Sequence, residues 1–452
     1  MRRTSVMLIA GDPSGDASAA ELATALARAI TDAQFHPTDE VQPLETPLAP
    51  RFFGAGGPRL AAAGVELAYD MTADSVIGFD AVKKYRMFRQ RFHRLVEWAV
   101  ERQPEFIVLV DFGYFNLRFA SAIRQYLRAH AGPFFNWRPK IIYFIPPQVW
   151  ASRPWRATRL ARDFDLLLCL FPFEKAWYAK NAPQLRVEFV GHPIFDRYPR
   201  AGSTGDSPVP VGDPPTERER SPELQEEPGF EKDAFSHSAG RVAQRDRQVA
   251  CATLPVPPGQ RESPVLILLL PGSRRPELKR HLAPMLAAAR AILARTPVRF
   301  EMILPNDRLA EEVRGHDVAG LPLEIRVGEL AQSLPRATLA IAKTGTVTLE
   351  CAYWGVPTVA IYKTSGITYL IGKQVVKVPY LAMPNILAGR EVFPELIQGA
   401  ATGANIAQKA LELLENPARR EEVKVALREV ISSLGGPGAI QRAANAIVSL
   451  ED

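Results

Sequence analysis

A single carboxylate stands at a place in the sequence where chemistry is expected. Asp111 follows the apolar run Phe106–Val110, and the C-terminal ends of parallel strands are where ligands bind in open α/β sheets. A partly desolvated carboxylate at such a position can act as a general base. The alternative role for a lone aspartate is a helix cap or a loop hydrogen bond.

The loop at residues 11–16 reads Gly-Asp-Pro-Ser-Gly-Asp and follows the apolar run Val6–Ala10. A glycine-rich turn at a helix start offers backbone N–H groups, but this one matches neither the dinucleotide-binding nor the P-loop pattern. Its two carboxylates would repel a phosphate, so a sugar or another hydroxyl ligand suits Ser14, Gly15 and Asp16 better. A tight turn capped by Asp16 is an equal alternative.

A third loop places an arginine at a helix start. Gly272, Ser273 and Arg274 follow the apolar run Val265–Leu270. A guanidinium beside helix N–H groups suits a diphosphate. A capped helix start with solvated arginines is the alternative.

A fourth loop offers a second anion cradle in the same half of the chain. Thr344, Gly345 and Thr346 follow the run Leu339–Ala342 at a predicted helix start, and Glu350 lies about one turn later, where it could bind ribose hydroxyls. With the loop at 272–274, this pattern predicts a nucleotide diphosphate on the C-terminal half. Arginine and helix dipoles can stabilise such a leaving group without a metal.

These loops need strands that end at a common edge. Near-continuous apolar runs separated by amphipathic segments indicate parallel strands covered on both faces. The runs are Val6–Ala10, Phe106–Val110, Lys140–Ile145, Leu166–Leu170, Val187–Val190, Val265–Leu270, Arg299–Leu304, Leu339–Ala342 and Thr358–Ile361. This alternation predicts an α/β protein with doubly wound parallel sheets.

The runs are interrupted once, and the interruption divides the chain. Residues 201–263 lack periodicity and are rich in Pro, Gly, Ser and Glu, which predicts a disordered insertion. We therefore expect two α/β domains, at 1–200 and 264–400, followed by helices at 401–452.

One segment is both basic and aromatic. Lys83, Lys84, Arg86 and Arg89 alternate with aromatic and aliphatic residues between positions 82 and 98. The pattern predicts a basic amphipathic helix, of the kind that can lie on an anionic membrane. A helix that packs on a sheet with a solvated basic face is the favoured alternative on pattern alone.

Length and composition limit the class of protein. The 452 residues are 47% hydrophobic and 23% charged, with a net charge of +6 from 55 Lys and Arg against 49 Asp and Glu. Disordered, collagen-like and disulfide-rich classes are excluded, and the excess charge is too mild to imply nucleic acid. The 3 cysteines lie far apart, which favours a reducing, intracellular compartment. No run is long enough to span a membrane.

The motifs together resemble those of lipid-A-disaccharide synthases, the inverting glycosyltransferases of lipid A assembly. The matching stretches lie at residues 10–16, 54–59, 111, 115–117, 147–151, 171–175, 191–193, 270–274, 344–351 and 384–391. The last stretch, Pro-Asn-Ile-Leu-Ala-Gly-Arg-Glu, is the most specific of them. The resemblance covers nearly the whole chain outside 201–263.

The resemblance implies a GT-B fold, with an active-site cleft between two Rossmann-like domains and C-terminal helices that cross back to the first. It implies transfer from UDP-2,3-diacylglucosamine to 2,3-diacylglucosamine 1-phosphate, which gives a β-1,6-linked disaccharide 1-phosphate and UDP without a metal or cofactor. It also implies a cytoplasmic protein bound peripherally to the inner membrane, with no nucleic-acid partner. A swapped homodimer, known in the family, is compatible with this tail.

Roles for single residues follow from the same resemblance. It makes Asp111 the base on the acceptor hydroxyl, places Arg274 and Asn385 at the donor, and puts Asn116 and Trp150 on the acceptor side. Around the nucleotide it places Gly272, Ser273, Thr344, Gly345, Thr346 and Glu350.

The sequence departs from the family pattern mainly in its N-terminal half. Asp12 and Pro13 replace the usual Glu-Ala, Phe112-Gly113-Tyr114 lacks a second aspartate, and 77–81 lacks a glutamate. UDP-sugar use is therefore more secure than the acceptor. Other UDP-sugar enzymes remain as alternatives, among them a lipid-linked glycosyltransferase and a UDP-GlcNAc epimerase, as does a non-catalytic relative that binds nucleotide sugar or lipid.

Overall fold

The structure is a computed structural model that describes residues 3–34, 49–72, 81–198 and 265–450. The predicted insertion at 201–263 lies outside the described residues, as does most of the departing motif at 77–81.

The first half forms a parallel seven-stranded sheet in the order β3–β2–β1–β4–β5–β6–β7. Its strands are β1 Ser5–Ala10, β2 Arg51–Gly56, β3 Glu66–Asp70, β4 Phe106–Val110, β5 Lys140–Phe144, β6 Leu166–Cys169 and β7 Arg186–Phe189. The direction of winding changes between β1 and β4, which are hydrogen-bonded neighbours. The crevice at this change of direction is where ligands bind in such sheets, and the loop at 11–16 and Asp111 both follow these two strands.

Helices cover both faces of this sheet. They are α1 Pro13–Gln34, α2 Pro58–Ala62, α3 Ala81–Arg102, α4 Gly113–Ala129, α5 Val149–Ser152, α6 Ala157–Asp163, α7 Pro172–Asn181 and α8 Ile194–Arg197, with a 3-10 turn at Pro154–Arg156. Alternate residues of β1 enter different cores: Val6 and Leu8 pack in one, and Met7 and Ile9 in the other. Burial on both sides explains why these strands are apolar throughout.

The second half repeats this plan with six parallel strands in the order β10–β9–β8–β11–β12–β13. They are β8 Val265–Leu270, β9 Val298–Leu304, β10 Leu323–Val327, β11 Leu339–Lys343, β12 Thr358–Tyr362 and β13 Glu395–Ile397. Here the winding changes direction between β8 and β11, so the loops at 272–274 and 344–346 meet at one edge. The predicted α/β class with two doubly wound parallel sheets is confirmed.

The remaining helices are α9 Arg275–Leu293, α10 Asp307–Arg314, α11 Leu330–Ser333, α12 Thr346–Tyr353, α13 Gly366–Val375, α14 Met383–Ala388, α15 Gly403–Glu415, α16 Pro417–Ser433 and α17 Ala439–Val448, with 3-10 turns at Leu334–Arg336 and Gln398–Ala400. Of the last three, α15 packs on α9, α16 packs on α12 and α14, and only α17 packs on α1.

The crossing back to the first half is therefore made by α17. Its residues Ile440 and Ile447 are buried in a core of the first sheet. The carboxylate of Asp196 caps the helix by accepting the N–H groups of Gly438 at 2.5 Å and Ile440 at 3.0 Å. Within the described ranges, no helix combines the length and the apolar character needed to cross a membrane.

Candidate active site

Asp111 lies immediately after β4, in the left-handed backbone region that few non-glycine residues adopt. Its φ is 49°, and Phe112, which follows it, has a φ of 50°. Two consecutive non-glycine residues in the left-handed region carry strain, and such strain concentrates at functional sites. The turn directs the chain from the buried strand into α4.

Buried polar side chains form hydrogen bonds to the backbone of this turn. The amide of Asn116 donates to the carbonyl of Asp111 at 2.7 Å and to that of Val110 at 3.2 Å, and the Tyr143 hydroxyl donates to the Asp111 carbonyl at 2.7 Å. Asn116 is fully buried. The side chain of Asn116 positions the backbone of Asp111 through its Nδ2, and its place on the acceptor side stays a prediction.

The carboxyl of Asp111 ionises near neutral pH. Burial, followed by repulsion from the carboxylate of Asp12, raises the pKa of Asp111 to about 6, against the opposing effects of the Phe112 N–H and the guanidinium of Arg274. A carboxylate with this pKa is ionised at physiological pH and is still basic enough to accept a proton. Because Arg274 belongs to the second half, its charge reaches Asp111 across the cleft.

The loop after β1 lies against Asp111. Asp12 accepts the N–H of Gly15 at 2.7 Å, and a Cβ added to Gly15 would lie 3.4 Å from the Cβ of Asp111. A Cβ on Gly11 would come within 2.1 Å of the ring of Phe112, so only glycine fits there. Ser14 is exposed at the start of α1. Gly15 therefore lies beside the candidate base, and the acceptor-side role of Ser14 and Gly15 stays a prediction.

Asp16 has a different role from the predicted one. It is buried and accepts the N–H groups of Gly57 at 2.6 Å, Arg59 at 3.0 Å and Leu60 at 3.2 Å. Asp16 therefore caps α2, a helix distant in sequence, because its carboxylate accepts hydrogen bonds from the N–H groups at the start of that helix. It does not cap its own helix, and its place on the acceptor side stays a prediction.

Trp150 is also buried. Its indole N–H donates to Glu174 at 3.0 Å, and the other oxygen of Glu174 accepts the N–H of Phe171 at 3.1 Å. Burial raises the pKa of Glu174 to about 7. Trp150 and Phe171 belong to the core of the second half, so Trp150 joins the two halves. Its predicted place on the acceptor side stays a prediction.

The loop after β8 binds a carboxylate of its own chain. Glu277 accepts the N–H of Ser273 at 3.0 Å and that of Arg274 at 3.2 Å. Gly272 has a φ of 117°, and a Cβ there would lie 2.6 Å from Glu277. The predicted use of these N–H groups for a diphosphate is corrected, because Glu277 already fills them. The exposed guanidinium of Arg274 is the cation that the loop presents.

Lys343 connects this loop to the one after β11. Its ammonium lies 3.1 Å from Glu277. Although burial opposes it, Lys343 together with the N–H of Ser273 lowers the pKa of Glu277 below its usual value. The ion pair holds the two loops of the second half side by side.

The loop after β11 presents backbone to the edge. The N–H of Thr344 donates to Ile361 at 2.9 Å within the sheet, and Thr344 is buried. Gly345 and Thr346 are exposed at the start of α12, where Thr348 donates its hydroxyl to the Gly345 carbonyl at 2.7 Å. The start of α12 at 345–346 therefore remains exposed in this half, and its N–H groups and helix dipole favour an anion.

Glu350 faces the segment that joins the two halves. Burial raises its pKa to about 7, against the opposing charge of Arg197. Arg197 itself pairs with Glu21 at 3.0 Å and donates to Ser18 at 2.6 Å. The predicted ribose ligand is thus a mostly buried carboxyl next to a cation anchored on α1.

Asn385 is fully buried and uses its whole amide within the chain. Its Oδ1 accepts the N–H groups of Val392 and Phe393, both at 2.8 Å, and its Nδ2 donates to Phe393 O at 2.7 Å and Glu395 at 2.8 Å. Asn385 therefore fixes the backbone that follows α14, and its contact with the donor stays a prediction.

The basic segment forms α3. Arg86 and Arg89 are exposed on it, and Phe92 packs edge-on to Phe115 at 5.4 Å between ring centroids. The side chains of Lys83 and Lys84 lie outside the described residues. The helix thus has a basic exposed side and an aromatic side that packs on α4.

The structure brings together Asp111, Asp12 and Gly15 from the first half and Arg274 from the second. Asp16, Asn116, Trp150 and Asn385 form hydrogen bonds within the chain, and their predicted contacts with substrate stay predictions. Sequence reasoning missed Glu277 and Lys343, although Arg-Arg-Pro-Glu at 274–277 has the spacing of a capping box.

Within the described ranges, no three His, Cys, Asp or Glu side chains group in a way that could hold a metal ion.

Comparison with known sequences identifies the family. A sequence model of the family described as lipid-A-disaccharide synthetase matches residues 6–206 and 242–448. The lipid-A-disaccharide synthase of Solibacter usitatus is 31% identical over 445 residues, which cover 98% of this chain and 96% of the relative. That of Myxococcus xanthus is 31% identical over 452 residues, or 98% and 97% of the two chains.

Solved structures share the fold at much lower identity. A UDP-GlcNAc 2-epimerase from Neisseria meningitidis bound to UDP-GlcNAc superposes with a TM-score of 0.54 at 10% identity, over 99% of this chain and 100% of that one. The glycosyltransferase of kitacinnamycin superposes with a TM-score of 0.53 at 15% identity, over 99% of both chains. The sequence matches span nearly the full length of the chain, and on that ground the protein belongs to the lipid-A-disaccharide synthase family.

Proposed function

We propose that the protein transfers 2,3-diacylglucosamine from UDP-2,3-diacylglucosamine to the 6-hydroxyl of 2,3-diacylglucosamine 1-phosphate, with release of UDP. The observation that carries this proposal is the placement of Asp111. It is a largely buried carboxyl with a pKa of about 6 at the edge of one sheet. The charge of Arg274, at the edge of the other sheet, lowers the pKa of this carboxyl. A base and a cation that face each other across a cleft suit a displacement between two bound sugars.

In this mechanism Asp111 accepts the proton of the acceptor hydroxyl as its oxygen attacks the anomeric carbon of the donor. The new bond forms on the face opposite the departing UDP, so the configuration inverts and the product is β-linked. Asp12 supports the base, because its charge keeps the pKa of Asp111 high. The left-handed turn at 111–112, held by Asn116 and Tyr143, fixes the direction of the carboxyl.

The leaving diphosphate gains negative charge as the bond to the sugar breaks. Arg274 and the helix start at Gly345 and Thr346 stand at the edge of the second sheet to stabilise that charge. Glu277 and Lys343, paired at 3.1 Å, hold the two loops in register. Glu350 is assigned to the ribose hydroxyls. To reach them, its side chain has to rotate away from Arg197 and toward the cleft.

The division of labour between the halves remains part of the proposal. Residues 1–200 are assigned to the acceptor and the membrane face, 264–400 to UDP-sugar binding and 401–452 to the C-terminal helices. Acylated substrates imply that the enzyme works at the cytoplasmic surface of the inner membrane, with the exposed basic residues Arg86 and Arg89 of α3 toward it. Association as a homodimer is included as a further expectation.

The proposal is tested with purified protein and UDP-2,3-diacylglucosamine, with and without 2,3-diacylglucosamine 1-phosphate. UDP release is measured and the lipid product is identified by mass spectrometry. UDP release that depends on the acceptor, with a tetraacyl disaccharide phosphate as product, is the expected result. Donor binding without disaccharide formation would show that the acceptor half serves another substrate.

A further inference from the structure

A cluster of arginines lies in the segment that follows β5 of the first sheet. Arg153 follows α5, Arg156 ends the 3-10 turn, and Arg159 lies in α6. The N–H of Arg156 donates to the carbonyl of Arg153 at 3.0 Å. A spacing of three residues in a helical segment brings these side chains to one side of it.

The positive charges of this cluster are close enough to repel one another. Burial, together with repulsion by Arg153 and Arg159, lowers the pKa of Arg156 below its ordinary value. Arg159 pairs with the buried Asp163 at 3.7 Å. No carboxylate of the described ranges lies within ion-pair distance of Arg153 or Arg156. Two guanidiniums without an acidic partner, one of them half-buried, form a favourable place for an anion.

Tyr114 connects the cluster to the candidate base. It lies in the first turn of α4, three residues after Asp111, and is 62% exposed. Its ring lies 5.7 Å from the guanidinium of Arg118, and Tyr114 is near enough to Arg156 to contribute to the pKa of that guanidinium. Arg159 donates to the carbonyl of Leu117 at 3.2 Å, which fixes α6 against α4. The cluster is therefore held against α4, the helix that begins beside Asp111.

The chemistry of the acceptor calls for a phosphate site apart from the base. Its nucleophilic hydroxyl and its phosphate lie at opposite ends of one sugar, so the phosphate has to bind away from the base. Next to Asp111 the charge of Asp12 would repel it. Its phosphate monoester carries close to two negative charges at neutral pH and forms strong bidentate hydrogen bonds with guanidinium groups.

We propose that Arg153 and Arg156, with Tyr114 beside them, bind the phosphate monoester of the acceptor lipid and so select a phosphorylated acceptor. This inference rests on the proposed function, because the acceptor is defined there. It makes the two arginines specificity determinants, separate from the donor cation Arg274.

The test compares two acceptors, 2,3-diacylglucosamine 1-phosphate and its phosphate-free counterpart, in micelles of neutral detergent. The variants are Arg153→Gln, Arg156→Gln and, as a control with the same change of charge, Arg128→Gln in the exposed last turn of α4. We expect each cluster variant to raise KM for the phosphorylated acceptor by about ten- to a hundredfold, the size of a charge-assisted contact. The phosphate-free acceptor should not distinguish the variants from the wild type, and the control should match the wild type on both.

Equal losses on both acceptors would overturn the inference, because they would indicate a structural role. Unchanged KM values would overturn it as well. A defect that appears only with vesicles of anionic lipid, and not in neutral micelles, would assign the arginines to the membrane surface and overturn it too.

Failure of the proposed function would give a separate result. If the wild type forms no disaccharide with either acceptor, binding is read from tryptophan emission, since the exposed Trp155 lies 5.3 Å from the Arg156 guanidinium. Binding of the phosphorylated lipid that Arg156→Gln loses and Arg128→Gln keeps would support the phosphate site without the transferase reaction. Equal binding by all three proteins would overturn it.

Discussion

Substitution of Asp111 by asparagine should lower activity and raise stability together. Asparagine has nearly the same shape and tolerates a φ of 49°, since it is among the residues that adopt the left-handed region most readily. It cannot accept the proton of the acceptor hydroxyl. General base catalysis contributes about 10²–10⁴ in rate, so transfer should fall by that factor while UDP binding is retained.

The expected gain in stability follows from the pKa of Asp111, which is raised from 3.8 to about 6 in the folded protein. A raised pKa means that the fold favours the protonated carboxyl. This contribution is fully present below pH 3.8 and is lost as the pH rises through about 6. The difference corresponds to about 3 kcal/mol against the ionised form. Asp111→Asn should therefore be more stable than the wild type at pH 7.5 by up to this amount, and equally stable near pH 3.5.

The measurements are initial rates of disaccharide formation, UDP affinity by calorimetry, and the free energy of unfolding in urea at several pH values. A variant that keeps its transfer rate would refute Asp111 as the base. A variant that is less stable than the wild type at pH 7.5 would refute the electrostatic reasoning, because it would give the carboxylate a structural role.

Three further changes test the surroundings of the base. Asp12→Asn removes a repulsion, so the pKa of Asp111 should fall and the acid limb of the kcat/KM profile should move to lower pH; an unmoved limb would contradict the coupling. Gly272→Ala forces a side chain into a φ of 117° and against the carboxylate of Glu277, which caps α9. UDP binding measured by calorimetry should therefore weaken. The control Gly399→Ala, where an added Cβ meets nothing within 4 Å, should bind UDP as the wild type does. Asn385→Ala leaves two buried N–H groups unpaired and should cost about 3 kcal/mol of unfolding free energy in urea; a loss below about 1 kcal/mol would show that this network relaxes.

The strands that the sequence predicted are buried on both faces, except the partly buried edge strand β7. β2, β3, β10 and β13 were missed because their residues do not form continuous apolar runs. β2 reads Arg-Phe-Phe-Gly-Ala-Gly, β3 and β10 are only partly buried and carry charges, and β13 has 3 residues. Edge and near-edge strands bury less surface, so their sequences are less constrained.

A site residue could be predicted only where its position after a buried strand determines that it lies at the cleft. Asp111 and Arg274 follow buried strands, and the topology brings those strand ends to the cleft. Asp16, Asn116 and Asn385 stand in motifs of the same family but bind backbone groups, some of them distant in sequence. A polar side chain in a motif looks the same whether it contacts a ligand or the chain, so that distinction required the structure.

The helix that completes a core of the first domain is synthesised after the strands of the second half. α17 covers α1 through Ile440 and Ile447, so the first half leaves the ribosome with an uncovered apolar face. Domains fold in the order of their synthesis, yet this one stays incomplete until residues 439–448 have emerged. The chain is therefore expected to fold with a late docking step, during which exposed apolar surface is open to chaperones and to aggregation.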